Sequence, residues 1–180
     1  MVARSKRQSL AQVEAEEISR IRDTMFAQSD VWYGFRMIVL GNFYSSTPSA
    51  LVANELGISR DEMSILASLH YWGGLSANVI CALTGRPKNS ISRGVIRLVR
   101  DGLVSSCVDE TDRRRSVLTI QDLGTTTYEK AAAVFRDREE EMFGCLTKAE
   151  KTTLDTILRK LLQNWQTRLS LGLDRYVTEY

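Results

Sequence analysis

The chain has 180 residues, 43% of them hydrophobic and 26% charged, a balance that suits one compact domain with appendages and excludes a many-domain protein. No run approaches the roughly 18 consecutive apolar residues that span a bilayer, and the basic start from Met1 to Arg7 leads into no apolar signal core, so a cytoplasmic protein without a membrane partner is expected. The net charge is only +2, so affinity for nucleic acid must come from where the cations sit rather than from their sum.

Apolar residues recur mostly at three-and-four spacing, and two prolines interrupt them, which predicts a mainly α fold. Residues 8–28 read as a charged N-terminal helix behind a basic tail, with Val13, Ile18, Ile21, Met25 and Phe26 as its stripe. The aromatic stretch 32–44 predicts a helix buried on more than one side, and Ser45-Ser46-Thr47-Pro48 should break or kink it before residues 50–56. Ser59 with Glu62 forms a capping box, with Ile58 placed to staple against Met63, opening a helix to about Trp72. Gly73-Gly74 ends it. Ser76 caps a short helix to about Leu83, and Thr84-Gly85-Arg86-Pro87 turns into another from Lys88 to about Asp101, a helix-turn-helix spacing. Beyond Gly102 the period becomes strand-like over 103–108 and 116–120, a hairpin around a charged tip. A long helix marked by Leu123, Tyr128, Ala131, Ala132 and Phe135 follows, and Thr147 with Glu150 caps a last one carrying Leu154, Ile157, Leu158, Leu161, Leu162, Trp165 and Leu169.

The helix from Lys88 carries the functional signal. Lys88, Asn89, Ser90, Ser92 and Arg93 crowd its first turns, a set of small hydroxyls and long cations suited to a major groove. Arg86, Lys88, Arg93, Arg97 and Arg100 fall in one carboxylate-free run, giving a positive edge. In the hairpin tip Arg113, Arg114 and Arg115 sit where a wing reaches the adjacent minor groove. Asp109 and Asp112 are expected to brace those arginines, since a carboxylate facing phosphate is repelled.

Leu75-Ser76, the run from Asn89 to Arg93, Asp101-Gly102-Leu103-Val104, Asp109 with Asp112-Arg113-Arg114, and Gly124 together resemble the MarR family of winged helix-turn-helix regulators, over residues 32–165. The resemblance implies a winged helix-turn-helix with a two-stranded β wing and N- and C-terminal dimerisation helices. Its organisation would be a tail and extension helix at 1–30, a dimerisation helix region at 31–60, the DNA-binding domain at 61–122 and C-terminal dimerisation helices at 123–180. It makes the helix from Lys88 to Arg100 the recognition helix, and Asp112 and Arg114 the wing residues that orient and insert. Two features depart from the family: Gln121 stands where a threonine cap is usual, and Gly94 softens the recognition helix by about 1 kcal/mol relative to alanine. Surplus apolar surface on the terminal helices independently favours a homodimer, whose axis would set two recognition helices about 34 Å apart on a pseudo-palindromic operator.

The implied function is a ligand-responsive regulator of double-stranded DNA, a repressor by family habit, released by a small effector. Family members respond to aromatic carboxylates and phenolic compounds. Here Arg36 and His70 are expected to read an anionic group, with Trp32, Tyr33 and Trp72 lining the pocket. Control through a cysteine is the alternative mechanism, although Cys81, Cys107 and Cys145 read as inert thiols. A winged module that binds protein instead of DNA would show a neutral recognition helix, and this one is basic. Three widely spaced cysteines and a single histidine make no metal-ligand pattern, and no nucleotide loop or nucleophile motif is present, so no metal, cofactor or enzymatic activity is expected.

Overall fold

A computed structural model describes residues 10–108 and 116–170, with side chains described for 14–108 and 116–167. Among them seven helices and two strands run in the order α1 (Leu10–Gln28), α2 (Trp32–Leu56), α3 (Arg60–Trp72), α4 (Ala77–Thr84), α5 (Lys88–Arg100), β1 (Val104–Val108), β2 (Ser116–Ile120), α6 (Asp122–Phe143) and α7 (Lys148–Ser170). The chain divides into two compact units between Ser45 and Ser46.

In the first unit, Phe26 at the end of α1 is buried and meets the edge of Phe35 with ring centroids 5.6 Å apart. Most other large apolar side chains here are exposed in the single chain, including Ile18, Ile21 and Met25 on α1 and Tyr33, Met37, Ile38, Leu40 and Phe43 on α2. The expected burial of the 32–44 stretch on several sides is therefore not achieved by one chain. The expected break at Pro48 is also corrected, because α2 continues through it. Ser45, Pro48 and Val52 are all buried and spaced as one helical face, which offsets the ladder bond that proline cannot donate.

The second unit holds the main core. Ile65, Leu66 and Leu69 of α3 cluster with Ile80 of α4, Ile91 and Leu98 of α5, Leu103 and Val104 at β1, Leu118 of β2, and Tyr128 and Ala131 of α6. α3 starts as its sequence dictates: Ser59 Oγ accepts from the Glu62 N–H at 3.3 Å, and a Glu62 carboxylate oxygen accepts from the Ser59 N–H at 2.7 Å. Ser76 caps α4, which ends at Gly85 in the left-handed region (φ 65°), where a side chain would strain the turn into α5. On α5 the buried positions Ile91, Gly94 and Leu98 keep a three-and-four spacing, while the N-terminal polar residues stay outside.

β1 and β2 pair antiparallel from Val104 opposite Ile120 to Val108 opposite Ser116. Leu75 adds a bridge to Leu118, exchanging backbone hydrogen bonds of 3.1 and 2.8 Å. This third element of the wing base is too short to leave a pattern in sequence. Gln121 makes no side-chain cap for α6; its amide instead donates to Ser105 Oγ at 2.8 Å, tying the helix start to β1. α7 opens on the expected capping box, Thr147 Oγ1 accepting from the Glu150 N–H at 3.3 Å. Leu158, Leu161, Leu162 and Trp165 lie exposed along it.

Candidate nucleic-acid interface

α5 projects from the core with Ile91, Gly94 and Leu98 inward, so Lys88, Asn89, Ser92 and Arg93 emerge on its exposed side and Ser90 is half-buried. Pro87 occupies the N-cap and offers no side-chain hydrogen bond. Asn89 Oδ1 accepts from the Ser90 N–H at 2.7 Å, which satisfies one of the first-turn donors. The other N–H groups of that turn and the Lys88 ammonium give this end of α5 a positive character suited to phosphate.

Beside α5 runs a groove of about 340 Å³ lined by Ser76, Asn78, Ser92, Val95, Ser106 and Ser116, among others. It joins the start of α4, the outer face of α5 and the base of the wing. Of the residues expected to contact DNA, Ser92 lines this groove. Ser76 is legible in sequence only as a helix cap, and Asn78, Ser106 and Ser116 carry no sequence signal, since the four come from three separate elements and only pairing and packing assemble them. Asp109, Asp112, Arg113, Arg114 and Arg115 lie outside the described residues.

The positive edge is smaller than the run of cations in sequence implies. Arg86 is paired with Asp61 at the start of α3. Arg97 donates from Nη2 to the Gly57 carbonyl at 2.7 Å and from Nη1 toward both carboxylate oxygens of Glu62 at 3.3 Å, and its Nε lies 3.6 Å from Asp101. Arg100 also pairs with Asp101, at 2.8 Å, and their hydrogen bond holds the Asp101 carboxyl below the usual carboxylate range. Arg86 and Arg97, expected as DNA contacts, are therefore engaged within the protein, because folding brings Asp61 and Glu62 against α5 from 25 and 35 residues away. Among the described residues, Lys88 and Arg93 are the α5 cations without a carboxylate partner.

Of the expected effector residues, Trp32, Tyr33 and Arg36 belong to the first unit and His70 and Trp72 to the second. Arg36 sits over two rings, its guanidinium carbon 4.3 Å from the Trp32 centroid and 4.9 Å from that of Phe26, and the Trp32 and Tyr33 centroids lie 4.2 Å apart with the rings tilted by 36°. No described carboxylate pairs with Arg36. On α3, the half-buried His70 ring lies 4.5 Å from Tyr128 of α6. Trp72, 78% exposed, borders a different hollow of about 540 Å³ with Ala67, Ser68, Tyr71, Leu75, Val79 and Leu83. Two residues of helical turn point His70 and Trp72 apart, so the structure does not bring them to one lining. Burial pushes the Cys81 thiol up, with nearby Lys88 pulling the other way, while Cys107 and Cys145 are exposed. No helix among the described residues is long and apolar enough to cross a membrane.

Comparison with known proteins agrees with this architecture. The sequence profile of the MarR family matches residues 56–115. The HTH-type transcriptional regulator BilQ of Clostridium symbiosum is 31% identical over 88 residues, 49% of this chain; the alignment spans 61% of that regulator's length. A MarR-family transcriptional regulator from Silicibacter pomeroyi superposes with a TM-score of 0.62 at 27% identity, covering 69% of this chain and 86% of that one. The fold is shared too by Bordetella bronchiseptica BpsR, whose DNA binding is regulated by 6-hydroxynicotinic acid, with a TM-score of 0.60 at 19% identity over 74% of this chain and 98% of BpsR. These relatives are transcriptional regulators rather than enzymes, and the MarR-family match over residues 56–115 falls within a helix-turn-helix, two-stranded wing and flanking helices, the architecture of the MarR-family winged-helix regulators that this chain resembles.

Proposed function

We propose that this protein is a homodimeric, cytoplasmic repressor that binds a pseudo-palindromic DNA operator and is released by a small aromatic effector. The observation that carries the reading is the outer face of α5. Lys88, Asn89, Ser92 and Arg93 stand exposed at its N-terminal half, beside a serine-lined groove at the wing base. In this reading Arg93 forks onto a base edge or phosphate, Lys88 and the helix N-terminus hold phosphate, and the serines line the backbone track. Arg113, Arg114 and Arg115 enter the minor groove, with Asp109 and Asp112 orienting them.

Dimerisation is supported by the exposed apolar faces of α1, α2 and α7, which a second copy would cover. Segments 31–60 and 123–180 would supply that interface, 61–122 the DNA-binding domain, and 1–30 an extension. For the effector, Arg36 among Phe26 and Trp32 is the candidate anchor for an anionic group, with Tyr33 beside it. The response of BpsR to an aromatic acid favours that ligand class. Selection of duplexes from random DNA by the purified protein, followed by titration with aromatic acids, tests the reading. It predicts an inverted repeat bound by two chains and released by an acid; recovery of no preferred sequence would refute it.

A further inference from the structure

We infer that Arg97 is a positioning residue for DNA recognition, setting the angle at which α5 meets the groove without touching DNA itself. This rests on the proposed DNA-binding role of α5 and deepens it. All three guanidinium nitrogens of Arg97 are directed at protein: Nη2 at the Gly57 carbonyl (2.7 Å), Nη1 at Glu62 (3.3 Å) and Nε at Asp101 (3.6 Å). With Nη1 and Nη2 each bonded inside the protein and Nε turned toward Asp101, reaching guanine or phosphate with two parallel bonds would break part of this anchor.

The partners make this a firm anchor. The Glu62 side chain is 3% exposed and is itself held by the Ser59 N–H, so the carboxylate cannot drift to follow a moving arginine. Gly57 follows the last residue of α2, so one guanidinium joins the end of α2, the first turn of α3 and the last turn of α5. The glycine at position 94 marks a second, independent constraint. A Cβ there would meet Ile65 Cδ1 at 2.8 Å, so α3 and α5 are at close approach one turn before Arg97. The Arg86–Asp61 pair ties the other end of α5 to the same turn of α3.

With its crossing point at Gly94, α5 behaves as a lever. Lys88 lies about 9 Å along the axis from Gly94, so a tilt of about 10° would carry it about 1.6 Å. That displacement exceeds the tolerance of a hydrogen bond to a base edge. Loose, sequence-independent attraction to phosphate would survive it, because Lys88 and Arg93 remain on the same face.

The test uses the full chain, a duplex recovered by selection and a scrambled duplex, titrated by fluorescence anisotropy across a salt series well below the melting temperature of each variant. Arg97→Ala should weaken binding to the selected duplex about 10- to 100-fold, leave the scrambled duplex within about twofold, and keep the salt slope of the unaltered protein. Arg93→Ala should instead lower that slope by about one. Glu62→Gln and Arg97→Lys, which retain part of the anchor, should fall between Arg97→Ala and the unaltered protein, and they carry the test if Arg97→Ala does not fold. A salt slope reduced by about one with losses on both duplexes would make Arg97 a phosphate contact. Unchanged discrimination in a folded, less stable variant would make it a strut only. Either result overturns the inference, whereas failure of the unaltered protein to prefer any duplex would overturn the DNA-binding reading beneath it.

Discussion

Gly94 of α5 faces Ile65 of α3 so closely that a Cβ at position 94 would lie 2.8 Å from Ile65 Cδ1 and 3.5 Å from Glu62 Cγ. From sequence this glycine reads only as a weakness in the recognition helix, but its place is set by helix packing. Gly94→Ala gains about 1 kcal/mol of helix propensity and loses about 1–3 kcal/mol to overpacking of a fully buried isoleucine. The expected result is a net loss of stability, read as a lower melting temperature in thermal unfolding.

A stronger effect is expected at Gly124, at the start of α6. A Cβ there would strike the Leu103 carbonyl, which is backbone and cannot rotate away, and Ile120 Cγ1 at 2.8 Å. Gly124→Ala should cost on the order of 3 kcal/mol, more than Gly94→Ala, in denaturant unfolding of the two variants side by side.

Leu161 and Leu162 project from α7 with no cover in the single chain. If a second copy covers them, Leu161→Lys and Leu162→Lys should shift the protein toward monomer by sedimentation velocity, with the helical circular-dichroism signal retained. Unchanged sedimentation would place the dimer interface elsewhere.

The Glu150 carboxyl lies below the usual carboxylate range because it accepts from the Thr147 backbone N–H at 2.8 Å and from its hydroxyl at 2.7 Å. A depressed carboxyl contributes stability above its unfolded pKa and loses it as pH falls through the folded value. The protection of amides at the start of α7, measured as exchange relative to the intrinsic rate at each pH, should therefore fall in acid as Glu150 protonates, and Glu150→Gln should flatten the response.

Alkylation offers an independent check on the thiols. Burial raises the Cys81 pKa and shields the sulfur, whereas Cys107 and Cys145 are exposed. Mass mapping after brief iodoacetamide treatment at neutral pH should find Cys107 and Cys145 modified before Cys81.

What could be read from sequence was local. The boxes at Ser59–Glu62 and Thr147–Glu150, the Ser76 cap and the change of period after Gly102 announce elements whose bonds close within three or four residues. Of the break or kink expected at Pro48, the break does not occur, because a buried helical face outweighs one missing donor. Local patterns do not announce partners that are distant in sequence. Arg97 and Arg86 look like groove cations until Glu62 and Asp61 are folded onto them, and Leu75 has no strand signal apart from Leu118. The aromatic residues of the effector proposal share a composition, yet His70 and Trp72 turn to different surroundings on one helix.

The central claim is that the exposed cations of α5 hold operator DNA. It is tested most directly by comparing the affinity of the unaltered protein and the Lys88→Ala/Arg93→Ala double variant for a duplex recovered by selection, across a salt series. The account predicts tight, salt-sensitive binding whose log–log slope falls by about two in the double variant, with a loss of at least tenfold in affinity. Equal affinity and equal slope for the two proteins would contradict it.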